Sequence, residues 1–307
     1  MTPDDSAHAS DHDGLTRFLI LGAGVRGVRV HLQDTWQQIR EREAYPAAAA
    51  ELLGEASVAA ALLTGHTKVD GRLSIQLQGR AAIRTLFAEC TASGTLRGIV
   101  QLAEGASPTR DLRDLGPDAV LAITVENPRP GRQGSGQEPV RYQGLVSLTS
   151  DTLAGALEGY FQQSEQLPTR LLLAADNERA AGLMLQKLPG DEGDEDGWSR
   201  VGALFDTLGA AELLDLPGDT LLTRLFHEDG VQILGHKPLS FACSCSRERV
   251  SAMLASLGPE EARAAAAEGK AEVRCEFCGQ RYNFSTREIE TLLALHGQEM
   301  PPPGRVQ

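Results

Sequence analysis

Two pairs of closely spaced thiols constrain this chain more than any other feature. Four of its five cysteines form the doublets Cys243-Ser244-Cys245 and Cys275-Glu276-Phe277-Cys278, and residues 246–274 between them contain none. Doublets of thiols divided by a spacer are the sequence sign of a four-thiolate zinc site, and four sulfurs leave no open position for catalysis. The predicted ligands are therefore Cys243, Cys245, Cys275 and Cys278, holding one Zn2+ per chain. With a single residue between its sulfurs, the first doublet can chelate a metal or close into a very small disulfide ring. A site able to do both is a candidate switch.

Bulk composition narrows the rest. A chain of 307 residues exceeds a typical single domain, which predicts two or three units. No run reaches the roughly 18 consecutive apolar residues of a membrane span, so no membrane association is expected. Met1 to Asp13 is polar and acidic, with neither a basic start nor an apolar stretch, and reads as a disordered tail rather than a secretory leader. In a cytoplasmic chain, clustered thiols mean metal or redox chemistry rather than structural disulfides. A net charge of −13 opposes nucleic-acid binding by the whole chain, because phosphate contacts need a basic footprint.

Hydrophobic patterning predicts an α+β fold. Gly22-Ala23-Gly24-Val25-Arg26-Gly27 follows an apolar run and matches the dinucleotide-binding G-x-G-x-x-G literally. That motif needs a helix to begin at the glycines, whereas Val28, Val30 and Leu32 alternate with Arg29, His31 and Gln33 as in a half-exposed strand. The glycines are read as a turn or bulge. Asp34 is placed as N-cap of a short helix through Arg40, and an alanine-rich helix runs from Tyr45-Pro46 to about Leu63. Asp70-Gly71 is read as a hairpin turn. Strands are expected at 73–77, 83–90, 96–102, 120–125, 140–148 and 170–174, a helix at 152–163 and an apolar segment at 180–188. This pattern predicts a mainly antiparallel sheet with packed helices over residues 14–188.

The remainder divides further. Pro189 to Gly197 is an acidic, glycine-rich loop whose spacing matches no EF-hand. It opens a Leu- and Phe-rich helical linker, 189–242, broken at Gly209, Pro217 and Gly218. Helices that short depend on docking, here against the first domain, and are releasable. Residues 243–297 read as a small four-cysteine zinc domain, with a helical stripe at Val250, Met253, Leu254 and Leu257, a helix opening at Pro259 and a Ser285/Glu288 capping box. Residues 298–307 read as a disordered tail. Cys90 lies in an alternating pattern and is read as a core thiol, and His227, His236 and His296 as surface or cap residues.

Magnitudes favour a switch. A unit of about 55 residues seldom obtains more than roughly 3–5 kcal/mol from its core, whereas structural zinc is worth about 10–16 kcal/mol. Oxidation would pair each cysteine with its near neighbour, the least costly loop closure. Cys243–Cys245 and Cys275–Cys278 bonds would be local and would abolish the only tie across the spacer.

The residues resemble the redox-regulated bacterial holdase chaperone family of heat-shock protein 33 along nearly the whole chain. The resemblance rests on Trp36-Gln37-Gln38, Glu51-Leu52-Leu53-Gly54-Glu55-Ala56, Leu77-Gln78-Gly79, Tyr160-Phe161-Gln162-Gln163-Ser164-Glu165-Gln166, Arg224-Leu225-Phe226-His227, Cys243-Ser244-Cys245-Ser246 and Cys275-Glu276-Phe277-Cys278. It implies a non-enzymatic, cytoplasmic chaperone that is inactive when reduced and zinc-bound. Oxidants would form the two disulfides, expel zinc and loosen the linker at about 190–242. The active form would be a homodimer that holds unfolded client proteins without ATP and later passes them to ATP-dependent foldases. The rival reading is a zinc-ribbon nucleic-acid binder, with Tyr282 and Phe284 stacking on bases. Residues 243–297 hold seven Arg plus Lys against eight Glu, so no basic stripe supports it, and both aromatics are placed in the core.

Overall fold

The computed structural model describes residues 13–129, 139–190, 194–267 and 269–299, with side chains up to Leu295 in the last helix. The expected tails before Asp13 and beyond Glu299, the His296 side chain and residues 191–193 of the acidic loop lie outside the described residues. The chain is α+β with mostly antiparallel sheets and divides into two units, 1–242 and 243–307.

The first unit opens with strands β1 (Asp13–Ile20) and β2 (Val25–Leu32), joined by the tight turn Leu21–Ala23, and continues through α1 (Asp34–Arg40) and α2 (Ala47–His66). Then follow β3 (Arg72–Gln78), β4 (Ile83–Thr91), β5 (Thr95–Leu102), β6 (Val120–Asn127), β7 (Val140–Val146), α3 (Leu153–Ser164), β8 (Thr169–Ala175) and β9 (Ala180–Lys187). Short helices α4 (Gly197–Phe205), α5 (Ala210–Asp215) and α6 (Gly218–Phe226) lead to β10 (Val231–Pro238) and β11 (Ser240–Phe241). Two sheets result, of order β10-β1-β2-β9-β8 and β11-β5-β4-β3-β6-β7. Among the described residues only the short β11–β5 pairing is parallel.

Helix α2 lies between the sheets, packing on β3, β4 and β5 of one and on β2, β8 and β9 of the other. Its alanines allow close approach on every side, and Ala49, Ala56, Ala59, Ala60, Ala61, Leu53 and Leu62 have no exposed surface. By length and composition α2 would pass for a membrane span, yet most of it is buried in the core, which accounts for its lack of a polar face. The other face of the five-stranded sheet is covered by α4–α6. There Phe18, Ile20, Val25, Leu183 and Leu185 meet Val201, Phe205, Leu213, Leu221 and Phe226.

That second layer corrects the reading of β2 as half-exposed. Arg29 and His31 are only 3% and 6% exposed, because they serve the docked helices. Arg29 donates to Leu216 O at 2.9 Å and His31 Nε2 to Leu214 O at 3.1 Å. The glycine motif is structural, as expected. Gly24 has φ +60°, and the Phe18 ring fills the space a Cβ on Gly27 would need.

Other differences have equally local causes. Asp34 does not cap α1. The carboxylate of Asp13 accepts from the amides of Gln33, Asp34 and Thr35 at 3.0–3.1 Å, so Asp13 belongs to β1 and not to a tail. Asp70-Gly71 joins α2 to β3 rather than two paired strands, and the Asn127 side chain accepts from both amides. The last part of the segment read as a helical linker is strand. β10 pairs along β1 from Pro238 opposite Gly14 to Val231 opposite Ile20.

One polar group inside this unit sets a pH dependence. Arg110 pairs with Glu51 at 2.8 Å and with buried Glu55, whose carboxyl burial pushes up to about 7 against the pull of that guanidinium. A carboxyl with a raised folded pKa adds stability below its unfolded pKa and loses it as pH rises through the folded value. His66, held down to about 4 by burial and by Arg26, acts in the opposite sense over an overlapping window. Glu55→Gln isolates the first effect. Between pH 4 and pH 8, the stability of the wild type relative to this variant should fall by about 3 kcal/mol in urea melts.

The second unit contains α7 (Arg247–Ser256), α8 (Pro259–Ala265), the hairpin β12 (Lys270–Arg274) and β13 (Arg281–Ser285), and α9 (Thr286–Glu299), which runs two residues into the expected tail. The capping box forms: Glu288 accepts from the Ser285 amide at 2.8 Å, and its own amide donates to Ser285 Oγ at 3.3 Å. The core is small, built around Val250, Leu254, Ala262, Ala271, Phe284 and Ile289.

Candidate metal centre

Different local structures deliver the two doublets. Cys243 and Cys245 lie ahead of α7, whose N-cap Ser246 accepts from the Arg249 amide at 3.3 Å. Arg249 Nη1 also donates to the Ser244 carbonyl at 2.7 Å, fixing the residue between the sulfurs. Cys275 and Cys278 occupy the β12–β13 connection. The Gly279 amide donates to Cys275 O and the Cys275 amide to Gln280 O, both at 2.8 Å. Gly279 has φ +72°, the left-handed conformation that closes this knuckle.

The structure brings all four predicted ligands together. Their Sγ atoms lie within 4.8 Å of one another, with Cys243–Cys275 at 3.7 Å and Cys245–Cys278 at 3.3 Å. Tetrahedral Zn–S bonds of about 2.3 Å separate sulfurs by about 3.8 Å, so this donor set and its spacing fit zinc. These two contacts link one doublet to the other, so a shared ion would join both parts of the chain.

Tyr282 is a neighbour of the thiol cluster that spacing does not reveal. Its hydroxyl donates to Cys245 Sγ at 3.1 Å. Burial resists ionisation of Cys245, but hydrogen bonds from Tyr282 and the other three thiols outweigh it and bring this thiol down to about 7. Burial, reinforced by hydrogen bonding to the neighbouring sulfurs, pushes Cys278 up to about 12 and raises Cys243. Alternation along β13 puts Tyr282 and Phe284 on one face. Phe284 is core, 1% exposed and covered by the Arg247 guanidinium 4.3 Å from its ring centre.

The other cysteine and the histidines have separate roles. Cys90 is buried in β4, and burial pushes its thiol up to about 11. His227 caps the C-terminus of α6, while His236 Nδ1 lies 2.9 Å from Thr16 Oγ1. Among the described residues, neither joins a cluster of potential metal ligands.

Comparison with known proteins agrees with this architecture. The family model described as Hsp33 protein matches residues 13–285. The 33 kDa chaperonin of Ectopseudomonas mendocina is 43% identical, covering 96% of this chain and 99% of its own length. That of Azotobacter vinelandii is 42% identical with the same coverage. The solved structure of the 33 kDa chaperonin (heat shock protein 33 homolog) of Thermotoga maritima, 24% identical, superposes with a TM-score of 0.75 over 94% of this chain and 100% of that one. A match across both units, relatives above 40% identity over nearly their full length and a shared fold together place the chain in the Hsp33 family of chaperones.

Proposed function

We propose that this chain is an ATP-independent holdase whose capture of unfolding proteins is switched on by thiol oxidation. In its resting state Cys243, Cys245, Cys275 and Cys278 would hold one zinc ion per chain. The observation that carries this reading is the convergence of four thiols within 4.8 Å in a unit with a small core. Bound there, zinc ties the two doublets together and supplies about 10–16 kcal/mol of folding free energy.

Oxidation acts on the thiols themselves. Forming one disulfide takes two electrons from a pair of thiolates, and one peroxide accepts them together with two protons from the solvent to leave as two waters. Closing Cys243 with Cys245 and Cys275 with Cys278 consumes two peroxides and removes all four thiolates as ligands. Both bonds are local, so neither replaces the tie between the doublets. The helical segment that precedes β10 and β11, upstream of Cys243, would be the element released. Helices α4, α5 and α6 have nine, six and nine residues, too few for independent stability. Their departure would uncover Phe18, Ile20, Val25, Leu183 and Leu185, together with their own apolar faces. Dispersed apolar surface of this kind fits unfolded clients rather than one shaped ligand. Dimerisation on oxidation, later transfer of clients to ATP-dependent foldases and a cytoplasmic location complete the reading.

The test is light scattering from a thermally unfolding client without ATP, with a zinc indicator in the same cuvette. Peroxide-treated protein should suppress scattering as zinc is freed, and reduced protein should not. Oxidised, zinc-free protein that suppressed nothing but bound RNA in a salt-dependent way would establish the nucleic-acid alternative. Tyr282→Phe removes only the hydroxyl on Cys245. It should weaken zinc binding about 10–100-fold in chelator competition, with an unchanged far-UV spectrum.

A further inference from the structure

The Leu21–Ala23 turn, which holds the first glycine of the G-x-G-x-x-G sequence, is gripped by both ends of the helical segment. On the entering side, the Asp194 amide donates to Gly22 O at 3.0 Å, and a Cβ on Gly197 would stand 2.6 Å from Ala23 Cα. On the leaving side, the Gly22 amide donates to Asp229 O at 2.9 Å and the Leu21 amide to Gly230 O at 3.0 Å. A Cβ on Gly22 would lie 3.1 Å from that Asp229 oxygen, so a side chain here would push the Asp229 backbone back by a few tenths of an ångström.

Arg200, in the first turn of α4, joins the two ends. Its guanidinium reaches Asp194 Oδ2 at 2.8 Å and holds both carboxylate oxygens of Asp229, with Nε 3.1 Å from Oδ1. The Asp229 side chain is 3% exposed and that of Asp194 53%. The two arms therefore differ in strength. An exposed ion pair contributes little, whereas removing the partner of a buried carboxylate is strongly destabilising.

We propose that Arg200 is a positioning residue that buckles both ends of the helical segment to the Leu21–Ala23 turn and sets how readily α4–α6 leave the sheet. As a control on client capture, this rests on the function proposed above. As a statement about docking, it stands separately. The buckle makes release cooperative, because neither end can lift while Arg200 holds Asp194 to Asp229.

Hydrogen exchange on the reduced, zinc-loaded full chain tests this. Arg200→Ala should speed amide exchange across 197–226 by roughly tenfold or more, with α2 protection and zinc content unchanged. Asp194→Asn should give a smaller increase confined to the same residues. Exchange in Arg200→Ala equal to wild type would overturn the proposal. Should Arg200→Ala unfold the whole unit, Asp194→Asn decides: a selective rise in 197–226 supports the buckle, and no rise or a uniform one overturns it. A selectively loosened Arg200→Ala protein that suppresses no aggregation even after peroxide has freed its zinc would leave the buckle standing and overturn the proposed function.

Discussion

Cys243→Ser should abolish tight zinc binding in the reduced protein and leave the second unit largely unfolded. The apolar core around Phe284, Ile289 and Leu254 is small, and a unit of this size obtains roughly 3–5 kcal/mol from such packing. A structural zinc contributes about 10–16 kcal/mol, so losing one of four thiolates removes more than the core can replace. The β12–β13 knuckle retains its backbone hydrogen bonds but no longer has a fixed partner in the Cys243–Cys245 stretch. Zinc content by chelator assay and amide exchange over 247–295 measure the two consequences. Full zinc occupancy with a protected α7 would contradict the account. Because the switch is then permanently open, oxidant should no longer change the protection of 197–226.

Phe226→Asp should release the helical segment while leaving the metal centre intact. Phe226 has no exposed surface and closes the cluster that joins α6 to Phe18 and Val25 on the sheet. A carboxylate there is unpaired among apolar neighbours, which costs at least about 4 kcal/mol, more than short helices supply by themselves. The reduced variant should suppress client aggregation without oxidant at full zinc content. Thr223→Asp, on the exposed side of the same helix, should behave as wild type. If reduced Phe226→Asp stayed inactive with α4–α6 demonstrably undocked, release of this segment would not be what exposes the client surface.

Much of this organisation is written locally in the chain. The clustering of the four thiols is legible because two doublets at metal spacing have few other uses, and the Ser285/Glu288 box because capping depends on residues three apart. The strands from β3 to β6 follow from alternation. What escaped depends on partners remote in sequence. Arg29 and His31 look like solvent-facing residues of β2 until Leu214 and Leu216 are seen to cover them. Asp13 looks like part of a polar tail until three amides of the α1 entrance converge on its carboxylate. β10 was hidden because Gly235 and Pro238 interrupt its pattern, and its pairing with β1 spans most of the first unit's sequence. The Tyr282 hydroxyl on Cys245 belongs to the same class, since 36 residues lie between the two positions.

The central claim is that thiolates at 243, 245, 275 and 278 keep α4–α6 docked. The most direct measurement follows metal release and amide exchange over 197–226 in one peroxide-treated sample of reduced, zinc-loaded full-length protein. The account predicts one zinc freed per chain, loss of protection in 197–226 with the same time course, continued protection of α2, and recovery on adding reductant and zinc. Complete zinc loss with both disulfides formed, while 197–226 stayed as protected as before, would contradict it.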